Sequence, residues 1–125
     1  VDVFGMTFWN GSGLGIGQRY QDALNSVDFI SPMVYPSHYY KNFEGYANPA
    51  DHPYEIVYKS LMKARDNFKK SRAVLRPWLQ DFDMGAEYTS SMVRKEIQAT
   101  NDAGARGWML WNASNNYTKG ALLAQ

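Results

Sequence analysis

Four short runs of apolar residues are spaced along the chain, and each has the composition of a β-strand. They are rich in β-branched and aromatic side chains, and they occupy residues 1–8, 27–35, 73–79 and 107–111. The last three runs lack regular alternation with polar residues, a pattern typical of strands that are covered on both faces in a parallel sheet. The runs therefore predict four parallel strands.

Helical periodicity fills the intervals between these runs. Apolar side chains recur at helical spacing over residues 54–68, directly after Pro53, which suits the first turn of a helix. The same spacing predicts a second long helix over residues 90–103 and a shorter one over residues 18–25. A last turn is expected at residues 119–124.

Strands and helices thus alternate along the whole chain, which favours a parallel sheet with right-handed crossovers. Successive strands begin about 35 residues apart, close to the roughly 31 residues per unit of an eight-unit barrel. We therefore predict one domain over residues 1–125, with an α/β fold that forms half of a (β/α)8 TIM barrel from four parallel βα units. The alternative is an open doubly wound sheet, although Ile16 occupies the third glycine position of its fingerprint.

Two features of this prediction have structural consequences. Half a barrel leaves two strand edges and its inner face open, so we expect another half barrel before Val1 in a longer chain, or a homodimer. Pro32 and Pro77 lie inside the second and third runs, where a proline removes a hydrogen bond of the ladder. We therefore expect a bulge or kink near these prolines.

Composition excludes several classes of protein. The 13 basic and 12 acidic residues are interspersed and give a net charge of +1, so there is no basic patch for nucleic acid. The apolar runs are too short to span a membrane, and there is no cysteine. The two histidines, His38 and His52, lack the paired spacing of a metal site. We predict no metal, no cofactor, no nucleic-acid partner and no membrane span.

The predicted strand ends combine aromatic rings with amides, hydroxyls and a carboxylate. In parallel barrels the catalytic groups lie at these carboxyl ends. Such a mixture suits carbohydrate, because sugar C–H faces stack on rings while sugar hydroxyls need hydrogen-bond donors and acceptors. The candidate substrate-binding residues are Tyr35, His38, Arg76, Trp78, Gln80, Trp111 and Asn112. His38 either binds sugar hydroxyls or holds its own loop.

Asp81 and Asp2 are the candidate catalytic residues. Asp81 stands at the end of the third strand, whereas Asp2 lies lower in the first strand; loop acids such as Asp83 are further candidates. Glycoside hydrolysis uses two carboxyl groups about 5–9.5 Å apart. Alternation also points Arg76 into the barrel, where it needs a carboxylate partner. Asp2 is the candidate partner, in a structural ion pair or in a catalytic one.

Six segments of the chain resemble, in the same order, the bacterial "putative glycoside hydrolase domain" family, a barrel family long of unknown function. The segments are residues 1–5 (VDVFG), 15–18 (GIGQ), 30–39 (ISPMVYPSHY), 48–55 (NPADHPYE), 76–82 (RPWLQDF) and 107–114 (GWMLWNAS). The resemblance implies a barrel distantly similar to alpha-amylase-like hydrolases, of which these segments form the C-terminal half. The family's other half carries a Phe-Asp-Tyr strand end that is absent here, so this fragment is expected to lack the full catalytic pair. An extracellular or cell-surface location is also implied.

We predict that the domain hydrolyses O-glycosyl bonds of a polysaccharide or oligosaccharide. Asp81 would act as acid, base or stabiliser, while Trp78 and Trp111 stack on sugar rings. The alternative is a carbohydrate-binding barrel without catalysis. A barrel enzyme for phosphorylated substrates is disfavoured, because no glycine-rich phosphate cradle follows the last two strands.

Overall fold

The computed structural model describes residues 1–122, which form a parallel sheet covered by helices. The strands are β1 (Asp2–Phe4), β2 (Phe29–Met33), β3 (Val74–Leu75), β4 (Trp78–Gln80) and β5 (Met109–Trp111). The helices are α1 (Tyr20–Ala23), α2 (Pro53–Lys69) and α3 (Ser90–Asp102). A 3-10 turn at Lys119–Ala121 covers the start of the predicted last turn, whose residues 123 and 124 lie outside the described residues.

The strands neighbour one another in the order in which they occur along the chain. β2 pairs with β1 on one side and with β3 and then β4 on the other, β5 pairs with β4, and every pairing is parallel. A doubly wound sheet would reverse this order at a switch point, whereas a barrel keeps it. The α/β prediction is therefore confirmed, and the four parallel units are consistent with half of a TIM barrel.

The first predicted strand is wrong beyond Phe4. Residues Gly5–Phe8 form a 3-10 turn instead of continuing β1. The Thr7 hydroxyl donates a hydrogen bond to the Phe4 carbonyl at 2.7 Å. The side chain therefore takes a backbone acceptor that a longer strand would have paired with its neighbour in the sheet. The carboxyl end of β1 therefore lies at Phe4, four residues earlier than the apolar run indicates.

Pro32 lies within β2, at a position where the backbone nitrogen points toward the break between β3 and β4. As a proline, it has no N–H to donate there. On one side of this gap, the Arg76 N–H donates to the Ile30 carbonyl at 3.1 Å. On the other side, the Val34 N–H donates to the Trp78 carbonyl at 3.2 Å. A proline is tolerated in this central strand because the donor it lacks falls where the ladder is interrupted.

Pro77 divides the third predicted strand into two. β3 ends at Leu75 and β4 begins at Trp78, so residues 73–79 are not one continuous strand. The Pro77 carbonyl still accepts a hydrogen bond from the Met109 N–H at 2.9 Å, which continues the pairing toward β5. The expected interruption near the prolines is thus present as a break between two short strands.

Both long helices follow their sequence signals closely. α2 starts at Pro53, whose fixed φ and missing N–H suit a first turn. The Thr89 hydroxyl caps α3 by accepting a hydrogen bond from the Met92 N–H, and Gly104 follows the helix with a φ of +76°. The short first helix covers only Tyr20–Ala23 of the eight residues predicted.

The hydrophobic core lies on one face of the sheet. Ile30, Val34 and Leu79 are fully buried there and belong to the same cluster as Val57 and Leu61 of α2. Alternate strand positions point to the other face. That inner face is open, as shown by Phe4, Phe29 and Trp111, which are 41%, 45% and 45% exposed.

We expect Gly5→Ala to destabilise the fold by about 1–3 kcal/mol, because an added methyl group has no room there. A Cβ at Gly5 would lie 2.7 Å from both the Met33 carbonyl oxygen and the Tyr39 hydroxyl. Urea unfolding of the variant measures the loss. Gly11→Ala is the matched control, since a Cβ at Gly11 would meet nothing within 4 Å. Equal stability of the two variants would contradict the close approach.

Candidate functional site

A cavity of about 300 Å³ opens on the inner face toward the carboxyl ends of the strands. Its walls are formed by Asp2, Met33, Tyr35, His38, Trp78 and Trp111. A second cavity, of about 480 Å³, shares three of these side chains, and its walls are formed by Tyr35, His38, Phe82, Asp83, Trp111, Asn112, Ala113 and Ser114. The structure therefore brings together six of the nine predicted site residues around two adjoining cavities.

Trp78 and Trp111 form two walls of the smaller cavity at nearly a right angle. Their ring centroids are 6.1 Å apart, with an angle of 85° between the ring planes. Trp78 pairs with Met109, and Gln80 pairs with Trp111, so Trp111 stands two residues closer to the rim than Trp78. Rings presented in this way offer an apolar face to a ligand from two directions.

Asp2 is the carboxylate that lines the smaller cavity. Its Oδ1 accepts a hydrogen bond from Trp78 Nε1 at 2.9 Å. The predicted ion pair between Asp2 and Arg76 is wrong, because none of the ion pairs among residues 1–122 joins them. The Arg76 guanidinium lies over the Phe29 ring instead, 5.9 Å from its centroid. Arg76 is exposed on the open inner face, so solvent and the Phe29 ring stabilise its charge. It therefore does not need a buried counterion.

Asp81 is buried away from both cavities, with 2% of its surface exposed. Its Oδ1 accepts a hydrogen bond from the Thr118 hydroxyl at 2.6 Å, and its Oδ2 accepts one from the Thr118 N–H at 2.8 Å. Both carboxylate oxygens therefore hold the segment that follows β5. A catalytic role of Asp81 stays a prediction, and these contacts favour a positioning role.

The two candidate amides also bond within the protein. Gln80 is fully buried; its Oε1 accepts hydrogen bonds from the N–H and hydroxyl of Ser37, and its Nε2 donates to the Phe82 carbonyl. Asn112 Oδ1 accepts from the Ser114 N–H at 2.8 Å, while its Nδ2 donates to the Asp81 carbonyl. Their position at the strand ends predicts that these amides bind sugar. In the structure, however, their oxygen and nitrogen atoms already form hydrogen bonds with neighbouring loop residues.

Tyr35 and His38 supply neutral polar groups to both cavities. Burial raises the pKa of the Tyr35 hydroxyl, and the nearby Asp2 charge raises it further. Partial burial lowers the pKa of His38, so its imidazole is neutral at neutral pH. A protonated phenol and a neutral imidazole each offer one donor and one acceptor, which suits hydroxyl groups of a ligand.

Residues 1–117 match the family described as "Putative glycosyl hydrolase domain". The chain belongs to this family. The resemblance found in the sequence is thereby confirmed, and a glycoside hydrolase-like function is supported at the level of the family.

Two other comparisons add little to the family assignment. A tetraacyldisaccharide 4'-kinase of Psychrobacter cryohalolentis is 38% identical to this glycosyl hydrolase-like domain over 55 residues, which are 43% of this chain. The chain spans only 15% of the length of that kinase, so the similarity does not assign its activity. No solved structure matches the chain significantly.

Hydrogen bonds near the site of the glycosyl hydrolase-like domain join residues whose contacts have no clear sequence signal. Asp83 Oδ1 accepts a hydrogen bond from the Tyr88 N–H at 2.6 Å, which fixes this acid at the second cavity. Behind β4, the Tyr88 hydroxyl donates to Glu96 Oε1 at 2.8 Å, and burial raises the pKa of Glu96 well above its usual value. Thr118 is 37 residues from Asp81 in sequence, so only the fold reveals their contact.

The described part of the domain holds no grouping of three or more side chains suited to bind a metal ion. No helix within residues 1–122 has the length and apolar character needed to cross a membrane. A cavity of about 560 Å³ lies elsewhere on the molecule, between the ends of α2 and α3, and is lined partly by Arg65, Lys69, Arg72 and Arg106. Basic side chains commonly stabilise the C-terminal ends of helices. This cavity lies at the end of the sheet opposite to the two described above.

We expect Asp81→Asn to lower the free energy of unfolding by about 1–3 kcal/mol, since an amide group cannot accept both hydrogen bonds from Thr118. Amide exchange at Thr118 should also accelerate. Asp22→Asn is the matched control, because the Asp22 side chain is 66% exposed and pairs only loosely with Arg19 at 3.8 Å. Unchanged exchange at Thr118 in Asp81→Asn would show that the loop does not depend on this carboxylate.

We expect the His38 imidazole to titrate below the ordinary histidine pKa of 6.5, because burial disfavours its charged form. The unfolded chain then binds the proton more readily, so His38 weakens the fold progressively as the pH falls below about 6.5. A pH titration followed by NMR measures the pKa directly. His38→Gln should reduce the loss of stability on acidification. A measured pKa at or above 6.5 would refute this assignment.

Proposed function

We propose that this domain binds carbohydrate along the rim of its sheet and contributes to hydrolysis of an O-glycosidic bond in an oligosaccharide or polysaccharide. Membership of the family supports this activity at a general level. The observation that carries the proposal is the cavity in which Trp78 and Trp111 stand at a right angle beside the carboxylate of Asp2. Aromatic faces next to a carboxylate match the apolar and polar sides of a sugar ring.

The exposed ring of Trp111 is the proposed stacking platform for a sugar residue. Trp78 closes the floor of the cavity, and its indole N–H is already bonded to Asp2. The hydroxyl of Tyr35 and the neutral imidazole of His38 are then placed to exchange hydrogen bonds with sugar hydroxyls. Gln80 and Asn112 take part indirectly, by holding the loops that surround the cavity.

Asp2 is the carboxylate that we propose to act on the glycosidic bond. It lines the cavity, whereas Asp81 is buried and bonded to Thr118. Glycoside hydrolysis uses a pair of carboxyl groups, and Asp83, which lines the adjoining cavity, is the candidate for the second one. Asp81 would then support catalysis by fixing the segment after β5.

A carbohydrate-binding domain without catalysis is the second candidate. It is favoured by the internal bonding of Asp81, which leaves few carboxylates facing the cavities. The expected cell-surface location, and the expected cover of the open β1 and β5 edges by a preceding half barrel or a second copy, remain predictions.

We expect Asp2→Asn to reduce the rate of hydrolysis about a hundredfold or more, because an amide cannot serve as general acid, base or nucleophile. Hydrolysis of a panel of neutral oligosaccharides by the full chain measures this effect, and tryptophan fluorescence measures binding. Binding of neutral sugars should change by only a few-fold. Asp22→Asn is again the control for an exposed carboxylate outside the site. Sugar binding without hydrolysis in the wild type would favour the binding domain instead.

A further inference from the structure

The charged side chains that line the cavities along the rim are acidic. Besides the two cavities described above, a third of about 480 Å³ is lined by Phe4, Gly5, Met6, Leu14, Met33, Ser37, His38, Tyr39 and Met84. Of the residues that the structure describes, no lysine or arginine lines any of the three, although the chain has 13 basic residues. Asp2 and Asp83 are the charged side chains at these walls.

The smaller cavity also combines aromatic rings with a carboxylate, as sites that bind organic cations do. Trp78 and Trp111 present perpendicular rings, Tyr35 adds a third, and Asp2 supplies a full negative charge. The faces of aromatic rings carry negative partial charge and attract ammonium groups. A carboxylate beside aromatic walls therefore favours a ligand with a positive charge, whereas a neutral sugar gains only the stacking.

No basic side chain of the described chain neutralises Asp2. Arg76 lies on the same inner face, but its guanidinium is placed over Phe29 and is not ion-paired with Asp2. His38, the other titratable nitrogen at the cavity, is partly buried and neutral at neutral pH. One oxygen of Asp2 accepts the Trp78 N–H, so its second oxygen is available to a ligand.

We infer that the rim recognises a glycan that contains hexosamine residues with free, protonated amino groups. The ammonium group would lie in the smaller cavity against Trp78 and Trp111 and pair with Asp2. This inference rests on the proposed function, because it names the substrate class of the same site. Glycans rich in uronic acid, sulfate or phosphate groups would be repelled by Asp2 and Asp83.

The test compares three trisaccharides with the full chain at mildly acidic pH: a glucosamine trimer, its N-acetylated counterpart and a galacturonic acid trimer. Titration calorimetry gives the affinities. We expect the glucosamine trimer to bind roughly tenfold more tightly than the N-acetylated one, as a desolvated ammonium among aromatic rings would. The galacturonic acid trimer should bind most weakly, and added salt should reduce the differences.

Asp2→Asn should remove most of the preference for glucosamine, measured as the ratio of the affinities for the glucosamine and N-acetylated trimers. Asp22→Asn, the exposed control, should keep the full preference. Trp111→Leu tests the aromatic wall independently of the carboxylate, and it should also reduce the preference.

Each outcome of this comparison is informative. Equal affinity for the two glucosamine-based trimers would overturn the inference but leave the proposed carbohydrate site intact. A preference that persists in both Asp2→Asn and Trp111→Leu would also overturn it, because the ammonium would then bind elsewhere. If none of the three trisaccharides binds, the inference and the proposed function both fail.

Discussion

The rest of the structure depends on burial of a single face of the sheet. Ile30, Val34 and Leu79 point outward from the strands and pack with the apolar side of α2, including Val57 and Leu61. Because strand side chains alternate between faces, this packing determines which residues point inward. The rings and the carboxylate of the candidate site thus occupy the inner face as a consequence of how the opposite face is buried.

The sequence predicts the elements well where one local signal dominates. Pro53 and Thr89 mark the starts of the long helices. Trp78 and Trp111 emerge on the same face because Trp111 pairs with Gln80, which lies two residues after Trp78 on the neighbouring strand. Predictions fail where side-chain hydrogen bonds determine the path of the backbone. The Thr7 hydroxyl ends β1 early, and no periodicity in the chain reveals that Asp81 bonds to Thr118.

Polar residues at the strand ends divide into two groups that look alike in sequence. Gln80 and Asp81 are used within the protein to shape the loops, whereas Asp2, Tyr35 and His38 face the cavities. Asn112 does both, because it bonds to Ser114 and also lines the second cavity. The difference depends on which side chain meets a free backbone N–H or carbonyl after folding. A buried polar group without such a partner would be costly, so the loops take the groups that they can reach.

The hydrogen bond between Trp78 and Asp2 has a mechanical consequence for the sheet. β2 lies between the strands that carry these two residues, so the bond passes over an intervening strand on the inner face. It joins β1 directly to β4, two strands that share no backbone ladder. Separating β1 from the sheet therefore requires this side-chain bond to break as well as the backbone hydrogen bonds between β1 and β2.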